Sequence, residues 1–398
     1  MNVRTATISR RVDVFVLFAW MLAVTVLRGV RLPNDFAIEH WLIDYRFGFV
    51  KRGLVGTILA LATGATGARP TEQLVDVLSV LLFAGFCAAL LAVGLRSARQ
   101  SRWSNDSILA VVVFLSSPFI VMSAHLVGYF DNIIILLAML SIALAVRGKL
   151  WWAAAVQALA ILVHESAILV GLPGLCLCWF LVDARNREAG RPPLRLAPLL
   201  LPAAAFLLVT MRNSIAPRDV EQSLTAYLAT YPFVEKGLHV VRVPHWVTIT
   251  LLDSYALHQG HFLERLLSES RLGAVVPSVA ALLAYVFTAF ERRAQTTVLV
   301  LGVCLAPQMM HLVAWDTSRI WTYSIVCAFL VLWSYAEIYA GVNIAPPRFV
   351  RLVCVAALIL NAVETIPLMD GLRDRFELTT RLLLYAPAVA QALRLATT

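Results

Sequence analysis

The chain contains repeated apolar runs of about 17–25 residues, and these runs limit its possible folds more than any other feature. Only a helix or a closed barrel satisfies every backbone hydrogen bond inside a bilayer, and a helix needs about 20 apolar residues to cross it. Hydrophobic residues make up 60% of the chain and charged residues 14%, with a mean hydropathy of +0.79. The sequence therefore predicts an all-α, polytopic transmembrane protein.

The lysines and arginines of the short loops predict the orientation of the spans, because these cations are enriched on the cytoplasmic side. Arg10 and Arg11 place the N-terminus in the cytoplasm, and the apolar run that follows is long enough to remain as a span. We predict about 11 spans, within a range of about 10–12, at roughly 12–30, 73–95, 107–127, 131–146, two short helices within 150–182, 196–211, 273–290, 296–314, 320–341 and 352–369.

The spans group into modules on either side of one long polar and aromatic segment. Residues 53–64 are apolar but too short to cross, so we expect them at the interface or in a re-entrant piece. The tail, 371–398, is expected to form an interfacial amphipathic helix or a twelfth span. The three parts are an N-terminal transmembrane module, 1–211, with a first outer loop at 31–72; an outer amphipathic segment, 212–272; and a C-terminal transmembrane module, 273–398.

The cysteines and the net charge limit the kinds of ligand and partner that the chain is expected to bind. The six cysteines all fall inside apolar runs, which indicates buried core residues rather than disulfides or a zinc site. The formal net charge of +9 comes from cations scattered among loops, a pattern that does not indicate nucleic-acid binding. It favours membrane lipids and an anionic ligand as partners. The lack of eukaryotic sorting signals favours a bacterial inner membrane.

The stretch 40–53, directly after the first span, combines acid and base in a short outer loop. It contains one carboxylate, Asp44, and three cations, Arg46, Lys51 and Arg52, interleaved with aromatic rings. A carboxylate can accept a proton, and fixed cations can hold a phosphate. This stretch therefore predicts chemistry on a lipid-linked anion at the membrane surface.

Further polar residues fall in outer turns that are far apart in the sequence. Ionisable groups near membrane depth are costly and by default mark a function, so we predict that these turns line one cavity open to the non-cytoplasmic side. The residues are Asp35, Glu39 and Asp44 in the first outer loop, Tyr129 and Asp131 before the fourth span, His164 and Glu165 between two short helices, Arg212 at the start of the outer segment, and Asp316 and Arg319 in a late turn.

Each of these residues also has a purely structural interpretation. Asp44 can pair with Arg46, and Asp131 can cap the fourth span. Asp316 and Arg319 are spaced as an i,i+3 ion pair. The histidines and aromatic residues of the outer segment are typical of an amphipathic lid, and they lack the spacing of a zinc site.

These features resemble the GT-C superfamily of integral-membrane glycosyltransferases, which use polyprenyl-phosphate-linked sugars. The likeness lies in the acidic first outer loop, in seven spans before a large outer segment, in the Gly-Tyr-Phe-Asp element at 128–131, and in the outward-facing His164-Glu165. The Trp-Asp-Thr-Ser-Arg stretch at 315–319 also resembles a late outer-turn motif of uncharacterised bacterial proteins of this general type.

The resemblance implies that a carboxylate of the first loop, namely Asp44 or else Asp35 or Glu39, is the catalytic base. It also implies a lipid-linked sugar donor and a glycan, lipid or protein acceptor as partners. The spacing requires no cofactor, and a Mg²⁺ or Mn²⁺ ion bridging Asp44 or Asp131 to the phosphate is compatible with it. The cations expected to hold the donor phosphate are Arg46, Lys51, Arg52, Arg212 and Arg319.

The sequence is also compatible with two other functions. An O-antigen or exopolysaccharide polymerase or ligase would depend on Arg212, Arg218, Arg242 and His239 in the outer segment and would not need Asp44. A transporter or flippase of an anionic lipid or solute would show broken helices in two related halves. No such internal symmetry is visible in the sequence.

Overall fold

A computed structural model describes most of the chain. The described residues are 3–213, 218–234, 238–290, 294–340, 346–365, 367–368 and 374–397.

The described residues form helices joined by short turns and contain no strand. The α-helices are α1 (Val3–Gly29), α2 (Asp35–Leu42), α3 (Gly53–Gly64), α4 (Glu72–Gln100), α5 (Asn105–Leu115), α6 (Pro118–His125), α7 (Asp131–Val146), α8 (Leu150–Val163), α9 (Ala167–Val170), α10 (Leu172–Glu188), α11 (Leu200–Asn213), α12 (Arg218–Leu228), α13 (Leu238–Thr248), α14 (Leu251–His258), α15 (Phe262–Leu266), α16 (Glu269–Ala289), α17 (Ala294–Leu305), α18 (Thr317–Ile338), α19 (Arg348–Val363) and α20 (Leu378–Thr397). Short 3-10 helices cover Tyr45–Phe47, Ala197–Leu199, Gln259–His261 and Ala306–Leu312.

Seven helical stretches of the described chain are long and apolar enough to cross a membrane, which confirms the prediction of an all-α polytopic protein. Four shorter apolar helices accompany them, and the number of spans and their orientation stay predictions. The seven stretches are Arg10–Gly29, Glu72–Gln100, Asn105–His125, Ala167–Glu188, Leu272–Ala289, Gln295–Leu312 and Thr317–Ile338. The shorter helices are Gly53–Gly64, Asp131–Val146, Leu150–Val163 and Ala197–Met211.

Helix α18 is the central element of the bundle. Its apolar side chains are buried almost from end to end, between α16, α17, α10, α6 and α4. The ring of Phe329 stacks on that of Phe114 from α5, with centroids 3.7 Å apart. Because its neighbours enclose α18 on all sides, the side chains at its N-terminal end are held in fixed positions.

Helices α2 and α3 enclose the loop that contains Asp44. The side chain of Asn34 accepts a hydrogen bond from the amide of Ala37 and so caps α2. The indole of Trp41 donates to the carbonyl of Gly128 over 2.7 Å, which ties α2 to the turn before α7. Gly128 itself has a φ of +93° and lies against Pro33, where a Cβ atom would clash.

The outer segment covers the same loop from the other side. Ile43 and Val50 form one apolar cluster with Leu224 of α12 and with Val243 and Val247 of α13. Helices α12 and α13 of the predicted outer segment thus pack on the first outer loop through apolar side chains.

The end of α1, where the first outer loop begins, is fastened to the C-terminal tail. Arg28 is fully buried; its Nε donates to Asp374 over 2.8 Å and its Nη1 donates to the Tyr385 hydroxyl over 2.9 Å. Arg381 pairs with the same Asp374 carboxylate at 3.4 Å. The tail therefore supports the base of the outer loop.

We expect Gly56→Ala to destabilise the protein and to displace the start of α3. A Cβ atom at Gly56 would lie 1.9 Å from the carbonyl oxygen of Ile43, so the helix must shift. The cost is expected to be about 2–4 kcal/mol, as for other overpacked sites. Gly64→Ala in the same helix meets nothing within 4 Å and serves as the matched control. Thermal unfolding in detergent should show a lower midpoint for Gly56→Ala alone; equal midpoints would contradict the close packing.

Candidate functional site

A cavity of about 580 Å³ lies where several distant turns of the chain meet. Its charged floor is formed by Lys51 and Arg52 before α3, by His164 and Glu165 in the break between α8 and α9, and by Arg319 near the start of α18. Its remaining walls come from α11, from α14 and from the turn before α18. The structure thus brings together three of the outer turns that the sequence singled out, and Tyr129 of a fourth also lines the cavity.

The central contact of the floor is the ion pair between Arg52 and Glu165. The Nε atom of Arg52 lies 3.1 Å from both carboxylate oxygens, and its Nη2 atom also donates to Oε1. Burial alone raises the pKa of Glu165, but the guanidinium of Arg52 outweighs it and holds that pKa well below the usual range. Glu165 is therefore ionised while its side chain remains 29% exposed to the cavity.

His40 supports the other side of the same guanidinium. Its Nδ1 lies 2.7 Å from the carbonyl oxygen of Phe36, which can only accept, so Nδ1 has the proton. Its Nε2 then accepts a hydrogen bond from Nη1 of Arg52 over 3.1 Å. Burial, followed by the charge of Arg52, lowers the pKa of His40 to about 3. The ring is therefore neutral, and it orients Arg52 by accepting its hydrogen bond without adding a second positive charge.

His164 is fixed in the opposite tautomer by the turn that follows it. The amide of Ser166 donates to its Nδ1 over 3.1 Å, so that nitrogen is unprotonated and Nε2 has the hydrogen. Burial, followed by the nearby guanidinium of Arg52, holds the pKa of His164 well below its usual value. His164 is therefore a neutral hydrogen-bond donor at the cavity floor.

Lys51 differs from its neighbour Arg52 in how its charge is compensated, since the carboxylate of Glu165 attracts it from beyond ion-pair distance. Its Nζ donates to the carbonyl oxygen of Ile249 over 2.7 Å, and no carboxylate among the described residues forms an ion pair with it. Its side chain is 8% exposed, and this burial lowers its pKa to about 8. A buried ammonium that forms no ion pair with a carboxylate is a ready site for an incoming anion.

A second charged group closes the floor at the start of α18. The Nε of Arg319 lies 2.8 Å from Oδ2 of Asp316, and its Nη1 lies 3.6 Å from Asp131 at the start of α7. The Tyr323 hydroxyl donates to the other oxygen of Asp131. Asp131 is itself not among the cavity-lining residues; it lies behind Arg319 and Tyr323 and holds both in place.

Helix ends add to the positive potential at this floor. Helices α3 and α18 begin beside the cavity-lining residues Arg52 and Asp316, whereas α8 ends there, at Val163. A helix N-terminus is equivalent to roughly half a positive charge and exposes amides without intrahelical partners. The arrangement therefore favours an anion even though two of its arginines are already paired.

The upper walls of the cavity are apolar. Phe206 and Val209 of α11 face Leu251 and Leu252 of α14 and Met309 of the 3-10 helix Ala306–Leu312. Leu252 is 78% exposed and therefore lies at the cavity mouth. The cavity thus combines a charged floor with an apolar wall and rim, which is the complement of an amphiphilic molecule.

The first outer loop supplies two predicted residues that lie outside the cavity. Asp44 accepts hydrogen bonds from the amide and from Nε of Arg46, each over 2.9 Å, and so caps the 3-10 helix Tyr45–Phe47. The guanidinium of Arg46 also lies over the Tyr227 ring, 4.7 Å from its centroid. The structural interpretation accounts for both side chains, and neither is placed to contact a molecule in the cavity.

The remaining predicted acids are not brought to the cavity either. Asp35 is half-buried in the first turn of α2 and does not line the cavity. Glu39 is fully buried, and neither of its carboxylate oxygens has a hydrogen-bond partner within the described chain. The side chain of Arg212 lies outside the described residues. None of the three acids predicted to be the base therefore reaches the cavity.

Several cavity residues were missed in the sequence. Tyr323 follows Arg319 by four residues, so helical spacing could have placed both on one face of α18. No sequence pattern pointed to His40, because its hydrogen bond with Arg52 depends on the left-handed backbone conformation of Arg52, with φ +63°. Trp246, Tyr255 and His258 of the outer segment line the cavity, as the lid interpretation of that segment suggested.

The donor set does not fit a divalent metal. Of the two aspartates considered for this role, Asp44 lies outside the cavity and is bound to Arg46. Asp131 receives a hydroxyl hydrogen bond and lies beside Arg319, whose charge would oppose a second cation. Among the residues the structure describes, no group of three or more metal-ligating side chains is present.

Comparison of the chain with protein-family models and with curated proteins found no match.

We expect Glu39→Gln to stabilise the protein by about 2–4 kcal/mol at pH 8 and to have little effect near pH 4.5. Burial, followed by the charge of Asp35, raises the pKa of Glu39 to about 8, so the folded state retains a proton that the unfolded chain has lost. The contribution of the protonated Glu39 to wild-type stability is therefore fully present below about pH 4.5, and it is lost as the pH rises through about 8. Thermal midpoints measured across this range in detergent should diverge with rising pH.

Asp35→Asn is the matched control for this measurement, because it removes a carboxylate of the same helix that is only half-buried. It is expected to reduce the loss of stability with rising pH in the same direction as Glu39→Gln but far less, because the charge of Asp35 is the smaller cause of the raised pKa of Glu39. A difference between Glu39→Gln and wild type that does not vary with pH would contradict a protonated, buried Glu39.

Proposed function

We propose that the protein is a membrane glycosyltransferase that moves a sugar from a polyprenyl-(di)phosphate donor to a glycan, lipid or protein acceptor on the non-cytoplasmic face. The observation behind this proposal is the buried ammonium of Lys51, which forms no ion pair with a described carboxylate, next to Arg52 at the floor of an apolar-walled cavity. A phosphate attached to a hydrocarbon chain matches both parts of that cavity.

The cations of the floor would act on the leaving phosphate. As the bond from the anomeric carbon to the phosphate oxygen breaks, negative charge grows on that oxygen, and fixed cations in a water-poor site stabilise it. Lys51 and Arg52 are adjacent in sequence, and both line the cavity. Arg319 belongs to the same floor and is held by Asp316, so its charge needs little reorganisation when the phosphate arrives.

Glu165 is the best-placed base. It is ionised, it is exposed to the cavity, and its partner Arg52 is one of the cations that would bind the phosphate. When the phosphate draws Arg52 away, the pKa of Glu165 would rise towards its usual value and the carboxylate would become a better proton acceptor. The acceptor hydroxyl then gives its proton to Glu165 while its oxygen attacks the anomeric carbon from the side opposite the phosphate, with inversion.

This assignment moves the base from the first outer loop to the break between α8 and α9. The resemblance to GT-C enzymes had implied Asp44, but Asp44 is engaged by Arg46 beneath the outer segment. Glu165 keeps the chemistry of the proposal, since a carboxylate still accepts the proton and outer-loop cations still hold the phosphate. Only the residue in the role of base changes.

We expect Glu165→Gln to lower sugar transfer by about 100-fold or more, as loss of a general base usually does. Asp316→Asn should have a smaller effect, of about ten-fold, because it only loosens Arg319. Asp44→Asn should leave the reaction near its wild-type rate and serves as the matched control. The readout is surface glycan or glycolipid by gel mobility in cells that express each variant at equal membrane levels.

The pattern of losses separates the alternatives. If Asp44→Asn loses sugar transfer and Glu165→Gln retains it, the catalytic base is a residue of the first loop. Wild-type rates of sugar transfer in both the Glu165 and the Asp316 variant would contradict a glycosyltransferase that uses this cavity. In an inactive transferase variant the lipid-linked donor should accumulate in the outer leaflet, whereas accumulation in the inner leaflet would indicate transport.

A further inference from the structure

A second cavity lies at the end of the bundle opposite the candidate site. It is a groove of about 490 Å³ between α4 and α7, with α18 as its floor. Alanines at 89, 92 and 143 leave space between the two helices, and Trp333 of α18 closes the bottom. Leu140 of the groove is 47% exposed, so the groove opens sideways, towards the surroundings of the bundle.

The groove has the depth of one membrane leaflet. On α7 it runs from Leu136 to Arg147, and the 11 helical steps between these residues, at about 1.5 Å each, extend about 16 Å. The hydrocarbon core of a bilayer is about 30 Å thick, so half of it is about 15 Å. The apolar part of the groove thus matches the region that the acyl chains of one leaflet occupy.

The groove is an open slot of about 490 Å³, extending over about 16 Å of α7. Its alanines leave room for a narrow apolar ligand, and an extended hydrocarbon chain that lies along α4 and α7 would fill it. The arginines at its polar end complement the negative charge of an anionic headgroup at the end of such a chain.

Two arginines lie at the polar end of the groove, and they differ in the side-chain partners that they have. Arg96 is bound to the buried carboxylate of Glu337, which also accepts hydrogen bonds from Trp333 over 3.1 Å and from Gln100 over 3.4 Å. Arg147 is exposed at the end of α7, and within the described chain its side chain forms no hydrogen bond or ion pair. The charge of Arg147 is therefore available to a ligand.

We propose that this groove binds one anionic phospholipid, with an acyl chain between α4 and α7 and its phosphate on Arg147. The site is independent of the sugar-transfer reaction, since it lies at the far end of α7 and α18 from the first cavity. Its ligand is a lipid of the surrounding leaflet and not a substrate. A free phosphate lacks the chain that fills the apolar part of the groove.

Native mass spectrometry of the full chain in detergent, with added phosphatidylglycerol or phosphatidylcholine of identical chains, tests the proposal. The wild type is expected to retain the anionic lipid about five-fold more strongly, the contribution of one arginine near an anionic headgroup. Arg147→Ala should remove this preference. Arg99→Ala, an exposed arginine at the end of α4 that does not line the groove, should keep it.

Ala143→Trp fills the groove while leaving Arg147 in place, and it should reduce retention of both lipids. A preference that persists in Arg147→Ala, or that falls equally in Arg99→Ala, would overturn the proposal in favour of diffuse charge at the membrane surface. Wild-type dimers that Ala143→Trp converts to monomers would overturn it in favour of a second copy at the groove. Retention of inorganic phosphate equal to that of the lipid would also overturn it.

Discussion

The ion pair between Arg52 and Glu165 is the contact on which the candidate site depends. It joins the end of the first outer loop to the break between two short helices, more than a hundred residues later in the chain. A charge removed from water is costly unless it is paired and hydrogen-bonded, and here the carboxylate of Glu165 and the neutral His40 satisfy the guanidinium together. Removal of either partner would leave the other charge without compensation. The pair therefore fixes the geometry of the loop as well as the electrostatics of the cavity floor.

The rest of the architecture places this pair beside an apolar wall. The central helix α18 brings Arg319 to the same floor, and the turn before α7 supplies Asp131 to hold it. The outer segment covers the first loop through apolar contacts and contributes the upper wall of the cavity. A charged floor under a hydrocarbon-compatible wall is an uncommon combination, since ionisable groups near membrane depth are normally avoided. This combination, more than any single residue, favours a lipid-linked anion as the ligand.

The fold class and much of the cavity were predictable from the sequence, whereas the role of each carboxylate was not. Apolar length predicts helices directly, and the polar residues at 129, 164–165 and 316–319 interrupt apolar runs, so their position at helix ends follows from the same pattern. Lys51 and Arg52 face the cavity, while Arg46, five residues earlier, turns towards Tyr227. Composition cannot predict this difference, because it follows from the 3-10 turn at Tyr45–Phe47 and the left-handed conformation of Arg52. The capping of that turn by Asp44 and the burial of Glu39 depend on the same local geometry.

The most direct test of the central claim is the affinity of the purified protein for farnesyl phosphate, with farnesol as the uncharged control, between pH 7 and 9.5. The buried ammonium of Lys51 has a pKa of about 8, so it is charged at pH 7 and loses its proton above pH 8. The phosphate has its own second pKa near 6 and keeps a constant charge over this range. We predict that the affinity for farnesyl phosphate falls about ten-fold as the pH rises, that Lys51→Arg abolishes this fall, and that farnesol binding does not vary. An affinity for farnesyl phosphate that is independent of pH in the wild type, or no greater than that for farnesol, would contradict the assignment of this cavity to a lipid-linked phosphate.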